Sequence, residues 1–185
     1  MIYPIVAYGD PVLKKKASDI TKDYPDLDKL IDNMYETMYE SSGVGLAAPQ
    51  IGLSIRLFVI DGGPFEEDEV KDFKEVFINA KILEENGDPW KFNEGCLSIP
   101  TVREDVSRNE EVYIEYYDRN WKHHKKHFKG LAARIIQHEY DHIEGILFTD
   151  RISPFRKRLL KGKLSDISMG KVDVDYKMKF PNKSK

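Results

Sequence analysis

The apolar and polar positions of the chain follow two periods, one typical of helices and one of strands. Apolar residues recur every three or four positions over Pro25–Tyr39, which predicts an amphipathic helix with Pro25 in its first turn and Gly43 as its stop. The same spacing predicts a helix over Leu131–Ile143 that ends before Gly145. A third, basic helix is predicted over Pro154–Leu164.

Segments rich in β-branched and aromatic residues predict the strands. They are Ile55–Ile60, Glu75–Leu83, Val112–Tyr117, Lys122–Phe128 and a short edge strand within Val172–Phe180. The polar residues 118–120 predict a hairpin turn, and the acidic residues 66–72 a solvated loop. His123, His124 and His127 fall on one strand; a basic surface strand is favoured over a second metal site, because no acidic or cysteine partner is adjacent in sequence.

Composition narrows the classes of function. The 185 residues are 41% hydrophobic, enough to bury a core, and 29 basic residues nearly balance 32 acidic ones. A net charge of -3 gives no overall field that would attract nucleic acid or an anionic membrane. We therefore expect no membrane partner and no specific nucleic-acid sequence. The opening MIYPIVAYGDPVLKKK lacks the apolar core of a signal peptide, so we expect a cytoplasmic protein. One cysteine excludes an internal disulfide and leaves a buried filler, a nucleophile or a metal ligand.

The strongest chemical motif is HEYDH, from His138 to His142. Histidines four positions apart on a helix project from one face at the separation that two imidazoles on one ion require, and Glu139 between them can act as a base. The alternative is a surface helix with stray histidines. The histidines share their face with Leu131 and Ile135, which favours a metal site.

Two histidines need a third ligand. In the metzincin pattern it is a histidine downstream of the motif; here Gly145 is present, but Phe148 stands where that histidine would be. The best remaining soft ligand is the thiol of Cys96, which a bound cation would deprotonate. Taken alone, Cys96 is better explained as a buried filler, and a site with two histidines and one cysteine is favoured only when HEYDH is taken together with the segment 43–50.

Two further segments agree with this interpretation. Cys96 lies in EGCLS (94–98), where Gly95 permits a close backbone approach. In GVGLAAPQ (43–50), the glycines leave the backbone free and the small alanine side chains leave space around it. Gln50 offers a side-chain amide that can donate a hydrogen bond.

The three segments together resemble the peptide deformylases. GVGLAAPQ matches the pattern GxGxAAxQ, EGCLS matches EGCxS, and QHEYDH matches HExxH, in the family's order and at similar spacing. The resemblance runs from YPIVAYGDPVLKKKA to about Arg158. It implies an α+β fold in which antiparallel β-sheets pack around a central HExxH helix. We expect one catalytic domain over residues 1–185, with a variable C-terminal segment from about residue 163.

The resemblance also implies an activity, the removal of the formyl group from N-formylmethionyl nascent bacterial polypeptides, with release of formate. By position, it makes Cys96, His138 and His142 the metal ligands, Glu139 the general base, and Gln50 with the Leu97 N–H the oxyanion donors. The ion it implies is Fe²⁺ in the cell, with Zn²⁺, Ni²⁺ or Co²⁺ as alternatives. Three protein ligands leave a fourth position for water, as hydrolytic metal sites require.

Substrate contacts are likewise implied by position. They are Val44, Leu131 and Ile135 for the methionine pocket, Gly45 and Gly95 for backbone hydrogen bonds, and Arg103 for the peptide beyond methionine or simply for the surface. Arg134 is expected to extend its stem along the pocket rim. Glu94 and Asp141 either orient ligands or form ordinary salt bridges.

Two other classes of function stay open. HExxH alone also fits a zinc peptidase that cuts internal bonds, although Phe148 and the Cys96 segment argue against it. A noncatalytic module with a structural metal could use the basic helix Pro154–Leu164 on RNA, but a closed site would need a fourth protein ligand. For an enzyme, the hypothesis is that this helix brings it to the ribosome near the exit tunnel.

Overall fold

The computed structural model describes residues 1–182, which form three α-helices and two β-sheets. The helices are α1 (Leu27–Glu40), α2 (Gly130–Ile143) and α3 (Pro154–Ser168). The strands are β1 (Ile5–Val6), β2 (Gly45–Ala47), β3 (Leu57–Asp61), β4 (Lys74–Cys96), β5 (Ile99–Tyr117), β6 (His123–Lys129) and β7 (Met178–Lys179). In this part of the chain, no helix combines the length and apolar character needed to cross a membrane.

The larger sheet has the strand order β2-β3-β4-β5-β6, with every neighbouring pair antiparallel. Its centre is the β4–β5 hairpin, which turns at Leu97 and Ser98. The smaller sheet pairs β1 with β7 in parallel, with Ile5 opposite Met178. The predicted C-terminal edge strand is therefore confirmed at residues 178–179, where it pairs with the first strand of the chain.

Helix α2 packs against the inner face of the larger sheet. Its Ile136 and Ile143 are fully buried in one cluster with Phe58 and Phe77, whose rings stack with centroids 4.7 Å apart. Burying each such side chain contributes about 1.5–3 kcal/mol. The predicted α+β fold, with antiparallel strands packed around the HExxH helix, is confirmed.

The central hairpin is much longer than predicted. Strand β4 continues thirteen residues past Leu83 to Cys96, and β5 begins at Ile99 rather than Val112. The added part of β4 is largely exposed and polar, and its register shifts between Asn86 and Pro89, so neither burial nor alternation marks it in the sequence. This extension carries the cysteine segment to helix α2.

Three smaller differences from the sequence predictions also have local causes. Helix α1 begins at Leu27, because Asp26 takes a left-handed conformation (φ 51°) that leaves Pro25 outside the helix. Residues 66–72 do not form a wholly solvated loop, since Val70 is fully buried. Helix α3 continues beyond Leu164 to Ser168.

Candidate metal centre and active site

Helix α2 and the end of strand β4 together present three side chains that could hold a metal ion. His138 and His142 lie one helical turn apart, with ring centroids separated by 5.2 Å. The Sγ atom of Cys96 is 3.4 Å from Nε2 of His142. All three ligand atoms lie within 4.8 Å of one another, and within residues 1–182 no other group of three histidine, cysteine or acidic side chains is close enough to share an ion.

Cys96 reaches the helix because it ends β4 at a tight turn. The β4–β5 register shifts just before it, so that Cys96 pairs with Ile99. The Ser98 carbonyl accepts a hydrogen bond from the Tyr8 N–H (2.8 Å). The Gln50 amide donates to Cys96 Sγ (3.4 Å) and to Ser98 Oγ (3.3 Å). Contacts from distant parts of the chain therefore fix where the thiol points.

Glu139 is the candidate base beside these ligands. Its side chain is 4% exposed, and its Oε2 has no hydrogen-bond partner among the described residues. Burial raises the pKa of Glu139 to about 7, although the charges of His138 and Arg108 oppose this shift. A carboxylate with a pKa near neutrality is suited to taking and returning a proton.

The close approach of Gly45 to Glu139 leaves no room for a side chain. A Cβ at Gly45 would lie 2.5 Å from Glu139 Oε1 and 2.8 Å from its Cγ and Cδ atoms. Strand β2 therefore forms a wall that holds the carboxylate in place.

Gly45→Ala is expected to lower catalytic turnover about a hundredfold, because the added methyl group displaces Glu139 and small misplacements of catalytic groups have effects of that order. Gly162→Ala in α3 is the control, since a Cβ there meets nothing within 4 Å. It should leave turnover unchanged and stabilise the fold by about 1 kcal/mol. Steady-state kinetics and thermal melts of both variants measure these effects. Equal turnover of the Gly45→Ala and Gly162→Ala variants would show that the close approach of Gly45 to Glu139 does not position the carboxylate.

Glu94 links His138 to a buried ionic network. One carboxylate oxygen accepts from His138 Nδ1 (2.9 Å), and the group also accepts from Arg108 Nε (2.7 Å) and Arg134 Nη1 (2.8 Å). Burial alone would raise the pKa of Glu94, but hydrogen bonds from Arg108 and His138 hold it well below its usual range. Because Glu94 engages Nδ1, Nε2 is the ring atom that His138 would present to an ion.

The second carboxylate that accepts hydrogen bonds from Arg108 belongs to Asp141. Arg108 Nη1 donates to Asp141 Oδ2 (2.8 Å), and Arg151 Nη2 donates to Oδ1 (2.6 Å). The Asp141 carboxylate therefore binds arginines and not the two histidines, and it supports the ionic network around Glu94.

The donor chemistry fits a divalent transition metal. Burial lowers the pKa of His142 well below its usual value, which leaves a neutral imidazole able to bind an ion. Hydrogen bonds with Cys96 and Glu94 outweigh burial and raise the pKa of His138, so an ion entering here would displace a proton from that ring. Two imidazoles and a thiol suit zinc or iron and leave one position open.

A cavity of about 710 Å³ opens beside the ligands. Its lining includes the residues expected from sequence to contact substrate or the reacting group, namely Val44, Gly45, Gln50, Gly95, Cys96, Leu97, Arg103, Leu131, Ile135, His138 and Glu139. His142 lies behind this surface and is 1% exposed. The structure thus brings the separate sequence motifs to one cleft.

The two arginines near the cleft differ in their surroundings. The expectation that Arg134 extends along the rim is wrong: it is 2% exposed, donates to Glu94 and to the Trp90 carbonyl (2.6 Å), and stacks over the Trp90 ring. These acceptors satisfy its two terminal nitrogens, which lowers the cost of burial, while Nε has no hydrogen-bond partner among the described residues. Arg103 is exposed and donates to the Asn93 side chain (2.7 Å) and carbonyl (2.7 Å).

The histidines of β6 have partners on strand β5 and in the turn between β5 and β6. His124 Nε2 lies 2.6 Å from Asp118 Oδ2, and the His127 ring stacks on Tyr113 with centroids 4.2 Å apart. These acidic and aromatic partners were not adjacent in sequence. The surface-strand interpretation agrees with the exposure of β6, since most of its side chains are exposed.

Sequence reasoning missed several residues that shape the site. Arg108 lies on the unpredicted part of β5, on the buried face that alternation gives to Val102 and Val106; only a strand prediction over these residues could have used that signal. Phe65 and Phe92, whose ring centroids are 6.0 Å apart, form part of the cavity wall. Tyr176 also lines the cavity, although the sequence indicated only that it alternates within an edge strand.

Comparisons with known proteins agree with this geometry. The family model described as polypeptide deformylase matches residues 2–158. The chain is 60% identical to a peptide deformylase of Christiangramia forsetii (100% of this chain, 99% of that protein) and 56% identical to one of Flavobacterium psychrophilum (100% of each). The crystal structure of a peptide deformylase from Legionella pneumophila is similar, with a TM-score of 0.80 and 38% identity over 90% of this chain and 95% of that one. The chain belongs to the polypeptide deformylase family.

Proposed function

We propose that this enzyme hydrolyses the N-terminal formyl group of N-formylmethionyl nascent polypeptides and releases formate. The observation that carries the proposal is the buried, unpartnered carboxylate of Glu139 beside a group of one cysteine and two histidines at an open cleft. Relatives that match the whole chain are peptide deformylases, which supports the same reaction.

Cys96, His138 and His142 would hold one divalent ion, Fe²⁺ in the cell, with Zn²⁺, Ni²⁺ or Co²⁺ as alternatives. When bound, such an ion acts as a Lewis acid and lowers the pKa of water at its open position. The Glu94 carboxylate orients His138 for this role.

The protein's own groups account for the proton transfers. Glu139 accepts a proton from the attacking water and returns it to the amine nitrogen as the C–N bond breaks, so water and a formamide become formate and a free amino terminus. Gln50 and the Leu97 N–H would donate to the formyl oxygen as negative charge develops there. Gln50 now donates its amide hydrogens to Cys96 and Ser98, so its amide would reorient to donate to a bound substrate.

The cleft suits an extended peptide that begins with methionine. Val44, Leu131 and Ile135 offer an apolar wall for the methionine side chain. Backbone groups of Gly45 and Gly95 would pair with the peptide, and Arg103 at the mouth would contact it beyond methionine. A formyl carbon carries only hydrogen, so a narrow site accepts it and excludes larger acyl groups.

Helix α3 is the proposed docking element for the ribosome near the exit tunnel, in the cytoplasm. It exposes Phe155 (67%) and Leu159 (58%), and within the described residues no carboxylate lies within salt-bridge distance of Arg158 or Lys161. Reversing both charges should abolish ribosome co-sedimentation at low salt without changing peptide turnover. Unchanged co-sedimentation would contradict this proposal.

The test of the activity is anaerobic formate release from formyl-Met-Ala-Ser by purified protein with Fe²⁺, Zn²⁺ or no added metal. We expect metal-dependent release, none from acetyl-Met-Ala-Ser, and no cleavage of internal bonds. Equal turnover of acetylated or internal peptides would favour a peptidase. Stoichiometric ion binding without formate release would contradict the catalytic assignment.

A further inference from the structure

The end of the described chain forms one wall of the active-site cleft. Residues 171–180, here named the C-terminal arm, follow helix α3, and residues 173–176 line the cavity. The arm is anchored at β1: the Ile5 N–H donates to the Lys177 carbonyl (2.8 Å), and the Ala7 N–H donates to the Lys179 carbonyl (2.9 Å). The match to the family model ends at residue 158, so the arm lies outside that shared pattern.

Tyr176 connects the arm to the turn that follows the cysteine ligand. Its phenol donates to the Leu97 carbonyl at 2.8 Å. Burial, with the nearby Cys96 adding, raises the pKa of Tyr176 above its usual value, so the phenol keeps the proton it donates. The ring also packs against the core cluster that contains Met34 and Leu46. The contact is therefore held by both packing and a hydrogen bond.

The turn depends on such outside contacts because only Leu97 and Ser98 connect the two long strands. The Gln50 amide donates to the Cys96 thiol, and the Tyr8 N–H donates to the Ser98 carbonyl. The peptide unit between Leu97 and Ser98 is planar, so a hydrogen bond to its carbonyl restrains rotation of that unit. Tyr176 supplies this bond and so restrains the peptide unit that follows Leu97, next to the unit that carries the Leu97 N–H.

We propose that Tyr176 is a positioning residue that holds the Leu97 N–H in the orientation needed to donate to the formyl oxygen. This inference rests on the proposed function. Tyr176 acts through the Leu97 carbonyl rather than on the reacting atoms. The C-terminal arm is thereby part of the catalytic apparatus and not only an edge strand.

The test is Tyr176→Phe in the full-length, metal-loaded enzyme, with Tyr3→Phe as the matched control. Tyr3→Phe removes a hydroxyl that accepts a hydrogen bond from Asn33 Nδ2 (3.3 Å). Tyr176→Phe removes the hydroxyl that donates to the Leu97 carbonyl. Complete removal of an oxyanion donor lowers kcat about 10²–10³-fold, so a loosened donor should lower it about tenfold. KM and bound metal should stay within twofold of wild type, and Tyr3→Phe should keep wild-type kcat.

Hydrogen exchange at the Leu97 and Ser98 amides gives a readout that does not depend on turnover. Tyr176→Phe should speed exchange at both amides about tenfold, while Tyr3→Phe should leave them unchanged. An active wild type whose Tyr176→Phe variant shows unchanged kcat and exchange overturns the inference and leaves the proposed function intact. A rise in KM alone also overturns it, because the arm would then only bind substrate. A wild type that releases no formate shows instead that the proposed function has failed.

Discussion

Glu139→Gln is expected to lower kcat/KM for formyl-Met-Ala-Ser by about 10²–10⁴-fold, the range for loss of a general acid–base group. The amide has the same shape as the carboxylate but can neither accept the proton of water nor return it to the leaving amine. Because Glu139 is not one of the three clustered ligand residues, the variant should bind as much metal as wild type. Formate release and metal content, measured on the same preparations, check both parts.

Glu110→Gln is the control for this substitution, since it removes a carboxylate from an exposed position on β5. It should retain wild-type kcat and KM. If Glu139→Gln kept more than a tenth of wild-type activity at full metal loading, Glu139 would not be the general base, and another group would have to carry the proton.

The same substitution should stabilise the metal-free protein at neutral pH. Burial raises the pKa of Glu139 from 4.5 in the unfolded chain to about 7 in the folded protein. The folded state therefore holds the proton more tightly, and stability decreases as pH rises from about 4.5 to about 7. Glu139→Gln removes this loss, so its melting temperature should exceed that of wild type at pH 8 and approach it near pH 4. A base kept at the expense of stability is typical of active sites.

The chemistry of the site was more predictable from sequence than its surroundings. HEYDH sets the relative positions of His138 and His142 by helical geometry alone, and this local relation does not depend on the rest of the fold. Cys96 required agreement among three motifs and the family resemblance, because no local rule places a strand end against a distant helix. The structure brings all three ligands within one ion's reach.

The residues that support the ligands were less predictable. Glu104 and Arg108 share one face of β5 with neighbouring valines, but no strand was predicted over these residues, and charged residues are ordinarily exposed. Here both are buried because carboxylate and guanidinium partners arrive from α2, α3 and β4. Burial of paired charges is a property of the assembled fold, and one strand's sequence cannot report it.

Arg108→Met is expected to lower the free energy of unfolding by about 3–5 kcal/mol, the range for breaking a buried ion pair by removing one partner. The Arg108 side chain is 1% exposed and makes three hydrogen bonds, two to Glu94 and one to Asp141. Methionine keeps the packing of the stem but leaves both carboxylates short of a donor. Urea unfolding of the metal-free protein measures the loss.

Arg119→Met provides the matched control, because Arg119 also bridges two carboxylates, Asp28 and Asp32, but with its side chain 39% exposed. Solvent screens that pair of contacts, so its loss should cost about 1 kcal/mol or less. Similar losses for the two variants would contradict the view that burial makes the Arg108 network important.

The Arg108 variant should also weaken metal binding by about 10–100-fold, the usual effect of removing a group that orients a ligand's partner. Glu94 keeps its contacts with Arg134 and His138 but loses both Arg108 hydrogen bonds, so it holds the His138 ring less firmly.

The same variant should change how stability depends on pH. The pKa of Glu94 is lower in the folded protein than its usual value near 4.5. The ionised carboxylate therefore stabilises the fold above about pH 4.5, and this stabilisation is lost as the pH falls toward the folded-state pKa. The stability gap between Arg108→Met and wild type should therefore narrow below about pH 4. A gap that stayed constant down to pH 2 would mean that the loss arises from packing rather than from the ion pair with Glu94.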